Sequence, residues 1–147
     1  MAPAPHAHVL DELKHLVRSR GLRATSARIA VLRQLHDRGA PMTHDEVMCA
    51  VGQGTIDKAT VYRILADLTR AELLVRMDLG DRIWRYELRD PCRKVEDEHP
   101  HFLCDDCGKV VCLPGFEIRT DKGSLPPSLH GAQITVRASG RCGACAS

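Results

Sequence analysis

Two amphipathic patterns and one spacing predict an α+β fold, an N-terminal winged helix followed by a small C-terminal α/β module closed on four cysteines. Apolar residues recur at helical intervals between Val9 and Leu68, and two alternating runs follow, LLVRMD and RIWRYEL. The spacing is that of Cys104-x-x-Cys107, repeated as Cys142-x-x-Cys145. At 147 residues, 44% hydrophobic and 27% charged, the chain can build one modest core or two small ones, which excludes a large enzyme. No run approaches the ~18 apolar residues of a spanning helix, and MAPAPHAHVLDEL lacks the basic and apolar regions of an export signal. A soluble, cytoplasmic protein with no membrane partner is expected.

The elements follow in order. The Ala/Pro/His start is expected to be unstructured. Val9, Leu10, Leu13, Leu16 and Val17 mark a first helix with Gly21 placed to cap its end. Ile29, Leu32 and Leu35 mark a second, opened by Thr25-Ser26 and ended by Gly39 and Pro41. Thr43 and Glu46 have the spacing of a capping box ahead of Val47, Met48 and Val51, a third helix broken by Gly52 and Gly54. Asp57 caps a fourth, whose buried face is Val61, Ile64, Leu65 and Leu68. Its other face offers Lys58, Thr60, Tyr62, Arg63 and Arg70. The two alternating runs around Leu79-Gly80-Asp81 read as a β-hairpin, and helices followed by a hairpin make a winged helix.

Charge supports a nucleic-acid reading of that scaffold. Residues 1–89 carry 14 Lys/Arg against 11 Asp/Glu, residues 90–147 carry 7 against 8, and between Lys14 and Arg38 seven basic residues meet one acidic residue, Asp37. A winged helix lays one short helix in a major groove while basic side chains meet phosphates. Tyr62 and Arg63 occupy the early, exposed part of the fourth helix, where base edges are reached. A small helical domain that binds protein, with Tyr62 half-buried, is the competing reading.

Residues 89–98, RDPCRKVEDE, are charged, contain Pro91, and read as a linker. Beyond them HFLC, KVVCL and AQITVRA are short β-type runs among Gly- and Pro-rich loops. Six of the seven cysteines lie after Asp90. Each CxxC turn points two thiolates at one centre, and two turns complete a tetrahedral sulfur shell suited to Zn2+. Cys104, Cys107, Cys142 and Cys145 are therefore the expected structural metal ligands, and zinc binding is part of this module's folding free energy. A redox CxxC or a disulfide is the alternative. His99 and His101 stand two residues apart, on one side of an extended segment. With Glu87 at the end of the wing, Cys92 in the linker and Cys112 after the first CxxC, they form a second candidate metal set, the exchangeable one. Cys49 reads as an ordinary helix residue. No nucleophile, base and orienting group fall together, so no enzyme is expected.

GLRATSARIAVLRQL, MTHDEV, DKATVYRILADL, a wing ending RYEL, HPHFLCDDCGKVVCL and a terminal CxxC together resemble the ferric uptake regulator family of bacterial metal-dependent repressors. The similarity runs from about Leu10 to Cys145. It implies a homodimer, a DNA-binding domain over residues 1–88, a hinge at 89–98, a metal-binding dimerisation domain over 99–147, and metal-promoted binding to double-stranded operators. By the same resemblance Tyr62 and Arg63 match a base-contacting pair, and Arg23 a basic residue at the minor groove. The four cysteines match the structural zinc ligands, His99 and His101 the regulatory HxH, and Glu87 an acidic ligand after the wing. Cys112 falls where many members carry Glu or Asp.

Three departures stand out. Pro41 falls where iron and peroxide sensors carry a histidine, with His44 three residues on. Ile134 replaces a histidine of the second site, with His130 as a loose stand-in. PGFEIRTDKGSLPPSL replaces a segment that is often helical. A set of His99, His101, Glu87 and a thiolate from Cys112 or Cys92 favours Zn2+ over Fe2+ or Mn2+, which prefer nitrogen and oxygen shells. The sequence therefore resembles zinc uptake regulators more than iron- or peroxide-responsive members, although its linker cysteine, Cys92, lies three residues later than theirs. From another class, a zinc-thiol redox protein remains open.

Overall fold

A computed structural model describes residues 5–89, 99–117, 119 and 125–147. The chain divides into two compact units, Met1–Lys94 and Val95–Ser147. Among the described residues the first unit runs α1 (Pro5–Ser19), α2 (Ser26–Arg38), β1 (Met42–Thr43), α3 (His44–Val51), α4 (Lys58–Arg70), β2 (Leu74–Asp78) and β3 (Trp84–Leu88). The second has β4 (His101–Cys104), β5 (Val110–Cys112), a short 3-10 turn at Pro127–Leu129, and β6 (Ala138–Gly140).

Each helix of the first unit begins and ends where its caps allow. The first starts earlier than expected, at Pro5, because proline at the first helical position has its φ preset and lacks only an N–H that would have no helical partner. Gly21 ends it at φ 74, with Leu22 N–H donating to Val17 C=O and Gly21 N–H to Arg18 C=O, the paired bonds of a glycine C-cap. Thr25 accepts from the Arg28 N–H, and Gly39 closes α2 in the left-handed region. The capping box is present: Glu46 N–H donates to Thr43 Oγ1 at 3.1 Å, and Thr43 N–H to Glu46 Oε2 at 2.7 Å. At α4, Thr60 N–H donates to Asp57 Oδ1 at 2.9 Å.

The buried faces meet in one core: Leu13 and Val17 of α1, Ile29, Val31, Leu32 and Leu35 of α2, Val47 of α3, and Val61, Ile64, Leu65 and Leu68 of α4. Met42, Leu73, Leu74 and Tyr86 close it from the sheet side. That sheet is antiparallel in the order β1-β3-β2. Its hairpin pairs Leu74 with Leu88 and Asp78 with Trp84, and β1 pairs Met42 with Tyr86. Helices packed on a small sheet that ends in a hairpin form the expected winged helix. Arg85 is only 4% exposed. Its guanidinium grips Asp81 through two bonds, of 2.9 and 2.8 Å, so a buried charge is paired where the hairpin turns.

In the second unit the sheet order is β5-β4-β6. Strand β4 pairs antiparallel with β5 and parallel with β6. The run AQITVRA departs from expectation: only Ala138 joins a strand, β6, and Ile134 and Val136 stand exposed in irregular backbone. Alternation marks a segment able to pair, and among the described residues nothing pairs with 132–137. Within PGFEIRTDKGSLPPSL the described residues hold a 3-10 turn and no α-helix, as its prolines and glycines dictate. Leu103 and Cys104 are the buried apolar side chains of this unit among the described residues, far short of what holds a domain of this size.

The Asp81–Arg85 pair carries a pH signature. Hydrogen bonds from Arg85 hold the Asp81 carboxyl below its ordinary pKa, so the pair's contribution is complete above the unfolded-state value of about 3.9 and is lost as pH falls through the lower folded-state value. Asp81→Asn should lose about 1–3 kcal/mol at neutral pH and show a flatter acid limb in urea unfolding.

Candidate DNA-facing helix and metal centres

The rotation of α4 sorts the sequence-predicted residues. With Val61, Ile64, Leu65 and Leu68 inward, Tyr62 is 59% exposed and Lys58 and Arg63 face solvent. Thr60 is half-buried, and its N–H donates to Asp57. Arg63 Nε donates to Ala59 C=O at 3.4 Å. Tyr62 is thus a fully presented side chain, not a half-buried one. Arg23 is exposed on the loop between α1 and α2.

Two contacts that local spacing does not reveal hold this surface in place. Arg28 donates from Nη1 to Arg23 C=O at 3.1 Å and from Nη2 to Asp67 at 2.8 Å, tying the Arg23 loop and α2 to α4. Nothing in local spacing relates residue 28 to residue 67. His44, considered above as a metal ligand, instead places Nε2 3.2 Å from Lys58 C=O and its ring 6.3 Å from that of Tyr62, bracing the start of α4. Among the described residues it belongs to no metal-competent cluster. Pro41 is buried. His130 lies 3.3 Å from Leu125 C=O and is likewise in no such cluster.

The first metal-competent cluster is that of Cys104, Cys107, Cys142 and Cys145, whose sulfurs all lie within 4.8 Å of one another. Backbone geometry builds it. Cys104 ends β4, and Gly108, at φ 70, lets the chain fold back so that its N–H meets Cys104 C=O at 2.9 Å. The second turn is seated by Cys142 N–H donating to Cys104 Sγ at 3.3 Å, while Cys145 N–H returns to Cys142 C=O at 2.9 Å. Cys107 Sγ and Cys142 Sγ are 3.8 Å apart. A tetrahedron with zinc–sulfur bonds of about 2.3 Å has a sulfur–sulfur edge of about 3.8 Å, so the cluster fits structural zinc. Backbone N–H groups of Cys107 and Cys142 lower the Cys104 thiol to about 6. Cys145 is pushed up to about 12 by the neighbouring thiols, Cys142 first. Four thiolates together therefore require a cation.

The second cluster follows from strand register. His101 on β4 is directly opposite Cys112 on β5, and His99, two residues earlier, falls on the same face. Leu113 N–H donates to Pro100 C=O at 2.9 Å, extending the pairing past the strand ends. The rings of His99 and His101 lie 4.7 Å apart, tilted by 52°. Their ligand nitrogens and the Cys112 sulfur lie within 4.8 Å of one another. Two imidazoles and a thiolate form a borderline-soft donor set. Glu87 lies near the end of β3, opposite Val75. Cys92 lies outside the described residues.

Comparison with known proteins converges on one family. The model of the Ferric uptake regulator family matches residues 19–125. A ferric uptake regulation protein of Campylobacter jejuni is 27% identical over 144 residues, covering 93% of this chain and 88% of its own. Among solved structures, the Helicobacter pylori ferric uptake regulator, described as having three functional metal-binding sites, superposes with a TM-score of 0.63 at 18% identity, covering 98% of this chain and 95% of its own. A zinc uptake regulator in complex with zinc and DNA superposes at 0.60 and 19% identity, with 98% and 97% covered. At these identities the two structures speak for the fold.

If the four-cysteine cluster holds the second unit together, Cys142→Ser should lose one zinc equivalent and unfold that unit. Because the metal needs thiolates, acidification must act in the same direction. Metal content and circular dichroism followed after dialysis at falling pH should decline together in the parent protein, and the variant should already be low at neutral pH.

Proposed function

Since the chain belongs to the ferric uptake regulator family of metal-responsive transcription regulators, we propose that it is a zinc-sensing, operator-binding repressor of metal-uptake genes. Residues 1–88 bind DNA, 89–98 form the hinge, and 99–147 bind metal and pair two copies of the chain. The observation that carries the zinc reading is the register that sets Cys112 across from His101 and beside His99. A thiolate with two imidazoles favours Zn2+ over Fe2+ or Mn2+. Pro41, buried and without a ligand atom, supports the same choice, because iron- and peroxide-responsive members resemble one another in carrying a histidine there. Convergence of both CxxC pairs on one centre argues against the zinc-thiol redox alternative, since no CxxC pair is left over for exchange.

In this reading Cys104, Cys107, Cys142 and Cys145 hold structural zinc, and Glu87, Cys92, His99, His101 and Cys112 are the residues from which the regulatory site draws its ligands. A cation held jointly by wing end, hinge and second unit narrows the range of angles between them. One arrangement presents both recognition helices of a dimer at half-site spacing. Coupling of this kind is typically about 1–3 kcal/mol. Exposed Phe116, Leu129, Ile134 and Val136 support a partner copy on the second unit. Tyr62 and Arg63 read bases, while Arg23, Lys58 and Thr60 meet the backbone and minor groove.

The test begins with a duplex selected from a random-sequence pool by the zinc-loaded protein. Its affinity should rise roughly 5- to 150-fold with zinc and not with Fe2+ or Mn2+, with metal content measured on the same samples. A response to Fe2+ or Mn2+ but not zinc overturns the zinc reading. Cys112→Ser and Cys92→Ser, made separately, should identify the sensing thiol by loss of zinc response at retained structural zinc. Arg63→Ala should cost about 1–3 kcal/mol on the selected duplex and relax preference at one base, with unchanged binding to random DNA.

A further inference from the structure

Three donors of the second metal-competent cluster stand on one hairpin of the second unit. His101 opens β4 and Cys112 ends β5 opposite it, while Leu103 pairs with Val110 further along. Backbone bonds hold both ends of this ladder: Leu113 N–H donates to Pro100 C=O and Cys104 N–H to Lys109 C=O, each at 2.9 Å. The ligand atoms of His99, His101 and Cys112 lie within 4.8 Å of one another, and all three side chains are half-buried, so an ion can reach them. A flat three-coordinate ion with bonds of about 2.0 Å to nitrogen and 2.3 Å to sulfur has donor edges of about 3.5–3.8 Å, so small side-chain rotations close the set. Among the described residues no other His, Cys, Asp or Glu of the second unit joins these three.

Charge and coordination number then separate the ions that these donors can hold. Two neutral imidazoles and one thiolate together carry a single negative charge. Zn2+ on them keeps a net positive charge and an open tetrahedral position, and a fourth, anionic ligand answers both. In the zinc-sensing reading, on which this inference rests, that ligand comes from outside the unit, from Glu87 or Cys92. A soft monovalent ion has neither need, because the thiolate cancels its charge and three donors complete its shell. Thiolate softness selects Cu+, and two imidazoles with one thiolate are a donor set that copper proteins use.

We propose that His99, His101 and Cys112 form a complete three-coordinate site for Cu+, and that Cu+ seated there blocks zinc sensing. It occupies the donors that zinc needs and draws no ligand across the hinge, so the angle between the units stays unset. Selection between the two ions is by coordination number. The site accepts both, and only the ion that demands a fourth ligand couples the units.

The test uses the full chain carrying its structural zinc, stripped of exchangeable zinc by a mild chelator and titrated anaerobically with Cu+ as its acetonitrile complex. One equivalent should bind with structural zinc retained and with ultraviolet absorption from thiolate-to-copper charge transfer. Cys112→Ser should lose that absorption. Cu+ should leave affinity for the zinc-selected duplex at its metal-depleted level. Added zinc should fail to raise it until a Cu+ chelator is supplied, after which the roughly 5- to 150-fold rise returns. In the double variant Glu87→Gln, Cys92→Ser the second zinc equivalent should weaken roughly tenfold or more, while Cu+ affinity shifts by less than about twofold.

A first Cu+ equivalent that displaces structural zinc, or that binds undiminished in Cys112→Ser, overturns the site. Equal loss of both ions in the double variant overturns selection by coordination number. A Cu+-loaded protein that binds the duplex as the zinc-loaded protein does overturns the block and leaves metal sensing standing. Zinc that fails to raise affinity before any Cu+ is added overturns the sensing reading itself, and the block with it.

Discussion

Burial of Val61, Ile64, Leu65 and Leu68 sets the rotation of α4, and most of what the first unit can do follows from that rotation. At 100° per residue, once those four side chains enter the core, Tyr62 and Arg63 have nowhere to go but out. The surrounding contacts then fix the helix along its axis and at its ends. Asp57 caps it, His44 braces its first carbonyl, and Arg28 reaches from α2 to Asp67. A single apolar stripe thus determines a polar surface that never enters the core. In the wing, Arg85 and Tyr86 are buried while Trp84, at the head of β3, stays exposed.

The second unit works by a different economy. With Leu103 and Cys104 as its buried apolar side chains among the described residues, burial cannot supply the order that the first unit draws from its core. Its order comes from polar geometry: strand register that sets His101 across from Cys112, and turn amides that gather four sulfurs. Each of the two metal-competent clusters among the described residues takes a ligand from β4, His101 at its start and Cys104 at its end. A strand of four residues therefore connects the chemistry of the two centres.

Much of this was legible in the sequence because it depends on local period and spacing. Helical intervals, the Thr43–Glu46 box, the Asp57 cap and the paired CxxC turns each declare themselves within a few residues. The pairing of Cys112 with the two histidines was half legible. The HxH spacing puts both imidazoles on one side, but only the β4–β5 register singles out Cys112. What stayed hidden was long-range or depended on a partner. The alternation in AQITVRA promised a strand, yet a strand exists only where another pairs with it. The link from Arg28 to Asp67 joins residues whose distance along the chain carries no signal. His44 looked like a possible ligand because it lies three residues from the position where iron and peroxide sensors carry a histidine, and packing made it a brace.

The separation of the two CxxC turns matters for how the protein is made. Cys104 and Cys107 emerge from the ribosome well before Cys142 and Cys145, and at roughly 5–20 residues per second the gap lasts roughly two to eight seconds. For that interval a half-built thiolate pair is exposed, with Cys107 open to solvent even in the finished fold. Two thiolates bind soft metals without the selectivity that tetrahedral closure confers, so the full selectivity of the four-sulfur cluster can arrive only with the second turn.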